Sequence, residues 1–197
     1  MNSLQEAQNE ANKCLNCKVP MCQKGCPIST HIPQFIEQIK NGNLEEAYKI
    51  LQENNIMSNI CSNVCPYEEC CVGNCIKGIK GEPIQVNKLE KYVNNWARKN
   101  NVIYVNERQK SNNIKIAVVG SGPAGIECAV ELSKKGFEVT IFEKEEEIGG
   151  LLTYGIPGFR LPRDITQNLT RRIKSLGINI QTNIEFGKDI TIESLKK

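Results

Sequence analysis

Three observations predict a two-part fold. Nine of the ten cysteines lie within the first 75 residues, apolar residues recur around them at helical spacing, and a strand, glycine loop, helix, strand, acid order follows residue 114. The expected architecture is an α-helical, cysteine-rich domain over residues 1–106, then the first, incomplete part of an α/β domain over residues 114–197. The run Asn106-Glu-Arg-Gln-Lys-Ser-Asn-Asn113 between them is polar, has no apolar period and reads as a linker.

The first domain opens on a polar segment, Met1 to Lys13, with no apolar core of a secretory signal. Two cysteine arrays follow. The first is Cys14-Leu-Asn-Cys17-Lys-Val-Pro-Met-Cys22-Gln-Lys-Gly-Cys26-Pro27. The second is Cys61-Ser-Asn-Val-Cys65-Pro66-Tyr-Glu-Glu-Cys70-Cys71-Val-Gly-Asn-Cys75. Thiolates this close in sequence supply three corners of a cubic iron–sulfur cluster, and a Cys-Pro outside the triplet reaches a neighbouring cube. Two such [4Fe-4S] clusters are therefore expected.

Between the arrays, Ile32, Phe35, Ile36 and Ile39 mark one helix. Leu44, Ala47, Tyr48 and Leu51 mark a second, with Asn43 and Glu46 placed for a capping box. A third helix is expected from about Ile84 to Lys99, with Val86, Leu89, Val93 and Trp96 on its buried face. Glu90 falls on that face. It reads either as a stripe-edge carboxylate reaching water or as an oxygen ligand to a cluster iron.

Two four-iron cubes need about eight ligands. Cys14, Cys17 and Cys22 suit one cube and Cys26 crosses to the other. Cys65, Cys71 and Cys75 then complete the second. Cys61 and Cys70 are left over, and the first cube lacks a ligand that Glu90 could supply. A pair of four-cysteine zinc sites is the competing reading, although Cys14–Cys17 is the sole C-x2-C pair in these arrays. His31, the one histidine, reads as structural, and no Ser/His/Asp set supports hydrolysis.

In the second part, Ile114 to Val119 reads as a buried strand running into Gly120-Ser121-Gly122-Pro123-Ala124-Gly125. A helix is expected from Ile126 to Lys135 and a strand from Glu138 to Phe142, ending at Glu143. Such a loop holds a pyrophosphate at the helix N-terminus, and the acid accepts from a ribose, so an adenine dinucleotide is expected. Gly149-Gly150, just past the acid, favours FAD over NAD(P), with a plain turn as the other reading. A helix from Arg163 to Leu176, a strand from Ile178 to Gln181 and the start of another element at Ile192 complete a Rossmann-like β-α-β-α-β unit. Cys128, within the predicted first helix of this unit, is expected as a small buried hydrophobe.

Charged residues at 24% and a mean hydropathy of −0.38 describe a soluble globular chain, with a cytoplasmic location as the default. No apolar run is long enough to span a membrane. The formal charge of +3 falls to roughly zero once seven thiolates and two clusters are counted, so it gives no argument for nucleic acid.

These arrays, the Gly120–Gly125 loop, Phe142-Glu-Lys and Gly149-Gly-Leu-Leu-Thr-Tyr-Gly-Ile-Pro-Gly-Phe-Arg-Leu-Pro162 resemble the N-terminal part of the NADPH-dependent glutamate synthase small subunit. The module is also similar to the N-terminal region of dihydropyrimidine dehydrogenase (its domain II) and to the large subunit of NADH-dependent ferredoxin:NADP reductase. The resemblance implies Cys14, Cys17, Cys22 and Glu90 on one cluster, and Cys26, Cys65, Cys71 and Cys75 on the other. It implies FAD contacts from Val64, Gly120 to Ala124, Glu143, Lys144, Gly149, Gly150, Leu151 and Arg160. It further implies an oxidoreductase in which electrons pass between NAD(P)H, FAD and the clusters to a redox partner resembling the glutamate synthase large subunit. The family's NAD(P)H-binding part is absent from these residues, so this chain alone is expected to be incomplete. A non-enzymatic, ferredoxin-like electron-transfer subunit is the alternative.

Overall fold

The computed structural model describes residues 1–104 and 108–196. The chain forms two compact units, Met1–Tyr104 and Val105–Lys197. The first is helical and begins with a helix that its polar sequence does not announce, α1 (Leu4–Ala11). The Ser3 side chain caps it by accepting from the Glu6 N–H at 3.2 Å. Ala7 and Ala11 are fully buried. There follow α2 (Met21–Lys24), α3 (Ile32–Lys40), α4 (Leu44–Asn54), α5 (Ser58–Val64), a 3-10 turn (Ile76–Ile79) and α6 (Val86–Lys99).

The apolar spacing of α3, α4 and α6 does what it predicts. Ile32, Phe35, Ile36 and Ile39 of α3, Leu44, Ala47, Tyr48 and Leu51 of α4, and Val86, Leu89 and Val93 of α6 are all buried in one core. Each large aliphatic side chain there contributes about 1.5–3 kcal/mol of hydrophobic stabilisation. Trp96 packs at its margin. α3 lies against α1 and α4, and α6 against α4 and α5.

The capping box on α4 does not form. Asn43 makes no side-chain cap and instead donates from Nδ2 to Gln38 Oε1 at 3.2 Å. Glu46 pairs with Lys49. The start of α6 is held from a distance: Glu10 of α1 accepts from the Gln85 N–H at 3.0 Å and from Lys13 Nζ at 2.6 Å. A carboxylate at that end complements the helix dipole. Burial alone raises the Glu10 carboxyl, but the bonds from Lys13 and Gln85 outweigh it and hold the group below its usual value.

The second unit contains β1 (Lys115–Val119), α7 (Pro123–Lys134), β2 (Glu138–Phe142), α8 (Leu151–Tyr154), α9 (Arg163–Ser175), β3 (Asn179–Gln181) and α10 (Ile192–Leu195). The strands form a parallel sheet in the order β1-β2-β3, with Lys115 opposite Glu138 and Thr140 opposite Asn179. Ile126, Ala129 and Val130 of α7, Ile141 of β2 and Ile173 of α9 are buried in this unit.

Three expectations change here. β1 is not a buried strand: only Val118 is buried, and Val119 is 53% exposed. The reason is that β1 pairs with β2 alone among the described residues. Cys128 is exposed, on the face of α7 away from Ala129 and Val130. Of the expected linker, 106 and 107 lie outside the described residues. The rest is tied to this unit, with the Gln109 N–H donating to the Lys134 carbonyl at 2.9 Å and the Asn112 N–H to that of Gly136 at 3.1 Å. Among the described residues, no helix is long and apolar enough to cross a membrane.

Candidate cluster cavities and nucleotide groove

The nine N-terminal cysteines divide between two cavities, and each cavity draws on both arrays. Cys14, Cys17, Cys22 and Cys75 line the first, with apolar walls from Leu15, Ile32, Ile36, Ile84 and Val86. Cys26, Cys61, Cys65, Cys70, Cys71 and Glu90 line the second, with Thr30, Ile32, Val86 and Asn87 among their neighbours. Ile32 and Val86 are common to both walls.

This partition differs from the expected pairing. Cys26 lies with the second array, but Cys75 lies with Cys14, Cys17 and Cys22, and Glu90 lies with Cys26, Cys65 and Cys71. The charges of Cys75, Cys14 and Cys17 act on Cys22, and those of Glu90, Cys26 and Cys65 on Cys71. The physical reason is reciprocal crossing. The 3-10 turn after Cys75 and the Ile84 N–H, which donates to Cys75 Sγ at 3.5 Å, carry that cysteine to the first cavity. On α6, Val86 and Glu90 lie one turn apart, so the helix presents Glu90 to the second cavity beyond the shared wall.

Glu90 is half-buried and lines the second cavity. Burial pushes its carboxyl up to about 7, against the lowering effect of Ser58, whose Oγ donates to Glu90 Oε1 at 2.7 Å. Ser58 in turn accepts from Asn94 Nδ2 at 2.9 Å, and Asn94 Oδ1 accepts from Gln52 Nε2 at 3.1 Å. The chain from α4 through α6 to α5 fixes where the carboxyl points. Sequence spacing carries no direct mark of Ser58, Asn94 or Gln52, because they meet only in the folded helix layer.

The donor sets fit iron–sulfur chemistry. Burial raises the Cys22 thiol to about 11 and the Cys65 and Cys71 thiols to about 12, so these sulfurs become good ligands when a cationic centre draws off their protons. Asn87 Oδ1 is buried in the second cavity's wall and has no hydrogen-bond partner. Among the described residues, no three cysteine, histidine or carboxylate side chains draw together on one metal-ion position. His31 lies at the surface before α3, with its backbone N–H donating to Asn54 Oδ1.

In the second unit, a groove of about 610 Å³ is lined by Gly120, Ser121, Gly122, Glu143, Lys144, Gly150, Leu151 and further residues including Tyr154. Gly122 caps α7 without a side-chain partner, which leaves the N–H groups of the first turn for an anion. Gly125 is needed for packing: a Cβ there would stand 2.2 Å from the Gly120 carbonyl oxygen. Gly149 donates to the Ser121 carbonyl at 3.0 Å, and a Cβ on Gly150 would stand 3.2 Å from Gly122 Cα. The second glycine pair therefore packs directly on the first glycine loop.

Glu143 is buried, and its carboxylate accepts from the Ser121 N–H at 2.9 Å, from Ser121 Oγ and from the Glu145 N–H at 3.0 Å. Burial acts to raise this carboxyl, but those bonds prevail and lower it. Pro123 and Ala124 form the first turn of α7 and are exposed. Arg160 is exposed in the turn after Gly158 and is not part of the groove lining. Val64 belongs to the first unit, at the end of α5 next to Cys65.

Comparison with known proteins gives two family models, one for each unit. That for dihydropyrimidine dehydrogenase domain II, 4Fe-4S cluster, matches residues 1–102. That for an NAD(P)-binding Rossmann-like domain matches residues 118–166. The NADPH glutamate synthase small chain of Azospirillum brasilense is 34% identical over 98% of this chain and 40% of its own length. The NAD-dependent dihydropyrimidine dehydrogenase subunit PreT of Escherichia coli O157:H7 is 36% identical over 96% of this chain and 46% of its own. The chain thus spans under half the length of these relatives. With the first model reaching over more than half of the 197 residues, the chain belongs to the dihydropyrimidine dehydrogenase domain II, 4Fe-4S cluster family.

Proposed function

We propose that this chain is the iron–sulfur module and the opening part of the flavin site of an NAD(P)H-dependent oxidoreductase that delivers electrons to a partner subunit. Residues 1–106 hold two [4Fe-4S] clusters and residues 114–197 begin the FAD domain. Bound clusters supply one-electron relay chemistry, and bound FAD exchanges electrons in pairs or singly.

The residues have separate tasks. Cys14, Cys17, Cys22 and Cys75 hold the first cluster. Cys26, Cys65, Cys71 and Glu90 hold the second, and Ser58 aims the Glu90 carboxyl. Ile32 and Val86 keep water out of the space between the two. Gly120, Ser121 and Gly122, with the first turn of α7 (Pro123, Ala124, Gly125), receive the pyrophosphate. Glu143 accepts from a ribose hydroxyl by exchanging one of its bonds to Ser121. Lys144, Gly149, Gly150 and Leu151 line the remainder of the cofactor, with Arg160 completing its surroundings. A partner resembling the glutamate synthase large subunit takes the electrons.

The observation that carries this reading is the division of cysteines from both arrays into two cavities that share one apolar wall. The test is anaerobic reconstitution of the chain with iron and sulfide, followed by FAD titration. About eight irons per chain and two distinct paramagnetic signals on reduction are expected. Four irons, or preferential uptake of zinc, would sink the two-cluster reading. Gly125→Ala should abolish FAD binding at unchanged iron content; unchanged affinity in that variant would remove the groove from the flavin site.

A further inference from the structure

The second cavity has more donors than a four-iron cluster has corners. Cys26, Cys61, Cys65, Cys70, Cys71 and Glu90 all face it, whereas the ligand set proposed above uses four. The two left over, Cys61 and Cys70, are placed differently. Cys70 lies against Cys65, to which its side chain is hydrogen-bonded. Cys61 lines the same cavity as Glu90, whose charge acts on it together with that of Cys26.

The position of Cys61 follows from α5. Ser58, Cys61 and Cys65 are three and four residues apart, so they share one face of that helix and its C-terminal cap. Ser58 on that face bonds the Glu90 carboxyl at 2.7 Å, and Cys61 follows one turn later. Asn55, which is buried, donates from Nδ2 to Cys61 Sγ at 3.3 Å and orients the sulfur. A thiol that is merely filling space has no need of such a donor. This one is aimed into a metal-binding cavity beside the one ligand that is not a thiolate.

We infer that Cys61 is an alternative ligand for the iron corner held by Glu90, so that carboxylate and thiolate exchange at a single position of the second cluster. In the exchange, the bond from iron to the Glu90 oxygen breaks and one from iron to Cys61 Sγ forms. The Cys61 proton passes to the released carboxylate. No electron moves and the net charge is unchanged. The ligand type at that corner sets the cluster's potential, so the pair gives one site two electronic states. The inference rests on the reading that this cavity holds a four-iron cluster.

The test compares the anaerobically reconstituted full chain with Glu90→Ala, Cys61→Ser, and Glu90→Ala combined with either Cys61→Ser or Cys70→Ser. Iron content and the paramagnetic resonance of the reduced protein are read in each. Glu90→Ala should keep the full iron content and alter one of the two signals. Cys61→Ser should keep the full iron content, with the corner held by Glu90 alone. Glu90→Ala with Cys61→Ser should lose about half the iron, whereas Glu90→Ala with Cys70→Ser should match Glu90→Ala alone. The signal of the first cluster, kept in every variant, reports that the helical unit is folded. Loss of the second cluster in Glu90→Ala alone overturns the inference, as does its retention in the Glu90→Ala, Cys61→Ser double variant. If the unmutated chain itself lacks two clusters, the underlying reading fails first and the inference falls with it.

Discussion

The two cysteine cavities are a few residues apart along α6 and are built on opposite plans. The first has four cysteines, no more than a four-iron cluster has corners, in a mainly apolar wall that includes leucine, isoleucine and valine. The second has five cysteines and a carboxylate, with Asn87 and Thr30 in its wall and a hydrogen-bond chain behind Glu90. An all-thiolate site in apolar surroundings is chemically fixed. A site with surplus donors, polar neighbours and a hard oxygen ligand can be tuned. On the function proposed above, the first site would be a constant relay and the second an adjustable one.

The largest effect should come from testing the partition itself. Cys75→Ser should remove about half the iron and leave the same residual resonance spectrum as Cys14→Ser. Cys71→Ser should leave the other spectrum. If Cys75→Ser and Cys71→Ser give the same residual signal, the sets are paired as the spacing of the arrays first suggests, and the contrast between the cavities dissolves. Ile32→Ala is next. Ile32 is 1% exposed and belongs to both walls. Its truncation should cost about 2–5 kcal/mol and speed iron loss to a chelator from both sites together. Release from only one site would show that the wall is not shared in the way the packing indicates.

A smaller and one-sided effect is expected from Asn94→Ala. It removes the donor to Ser58 and leaves Gln52 Nε2 without its acceptor, at a cost of about 1–3 kcal/mol. Chelation kinetics should quicken at the second site alone. Equal acceleration at both would mean that Asn94 supports the helix layer generally and does not specifically position Glu90.

Much of this was legible in the sequence, and the failures are instructive. The apolar faces of α3, α4 and α6 follow from spacing, since burial depends on which face of a helix a residue occupies. The glycine loop and Glu143 are readable because a tight strand-to-helix turn demands those residues. α1 escapes an apolar-period reading because its buried residues include the small Ala7 and Ala11, although Ser3 and Glu6 mark its start. The pairing of ligands is not readable. Cys26 is flagged by its proline, but Cys75 crosses with isoleucine after it. Which cavity Glu90 faces depends on how α6 lies across the wall, a property of helix packing. Asn43 shows the limit of a local motif, since a capping pattern forms only when its side chain has no better partner, and Gln38 is one.

The smallest expected effect concerns the device that sets where α6 begins, and hence how far Val86 and Glu90 lie from each cavity. Glu10 holds the Gln85 N–H and is itself held by Lys13, and these bonds keep its carboxyl below the usual glutamate value. A carboxyl lowered on folding stabilises the native state fully above its unfolded value and loses that contribution as pH falls through the folded one. Glu10→Gln should therefore cost about 1 kcal/mol at pH 7. The difference from the unmutated chain should shrink as pH falls below about 4.5, until protonated glutamate and glutamine are equivalent. Denaturant unfolding followed by Trp96 fluorescence at a series of pH values measures this. A gap that stays constant down to acid pH would mean that Glu10 acts through shape alone. A gap that closes would make the charge of Glu10, 75 residues away in sequence from Gln85, part of what keeps the helix between the two cavities in register.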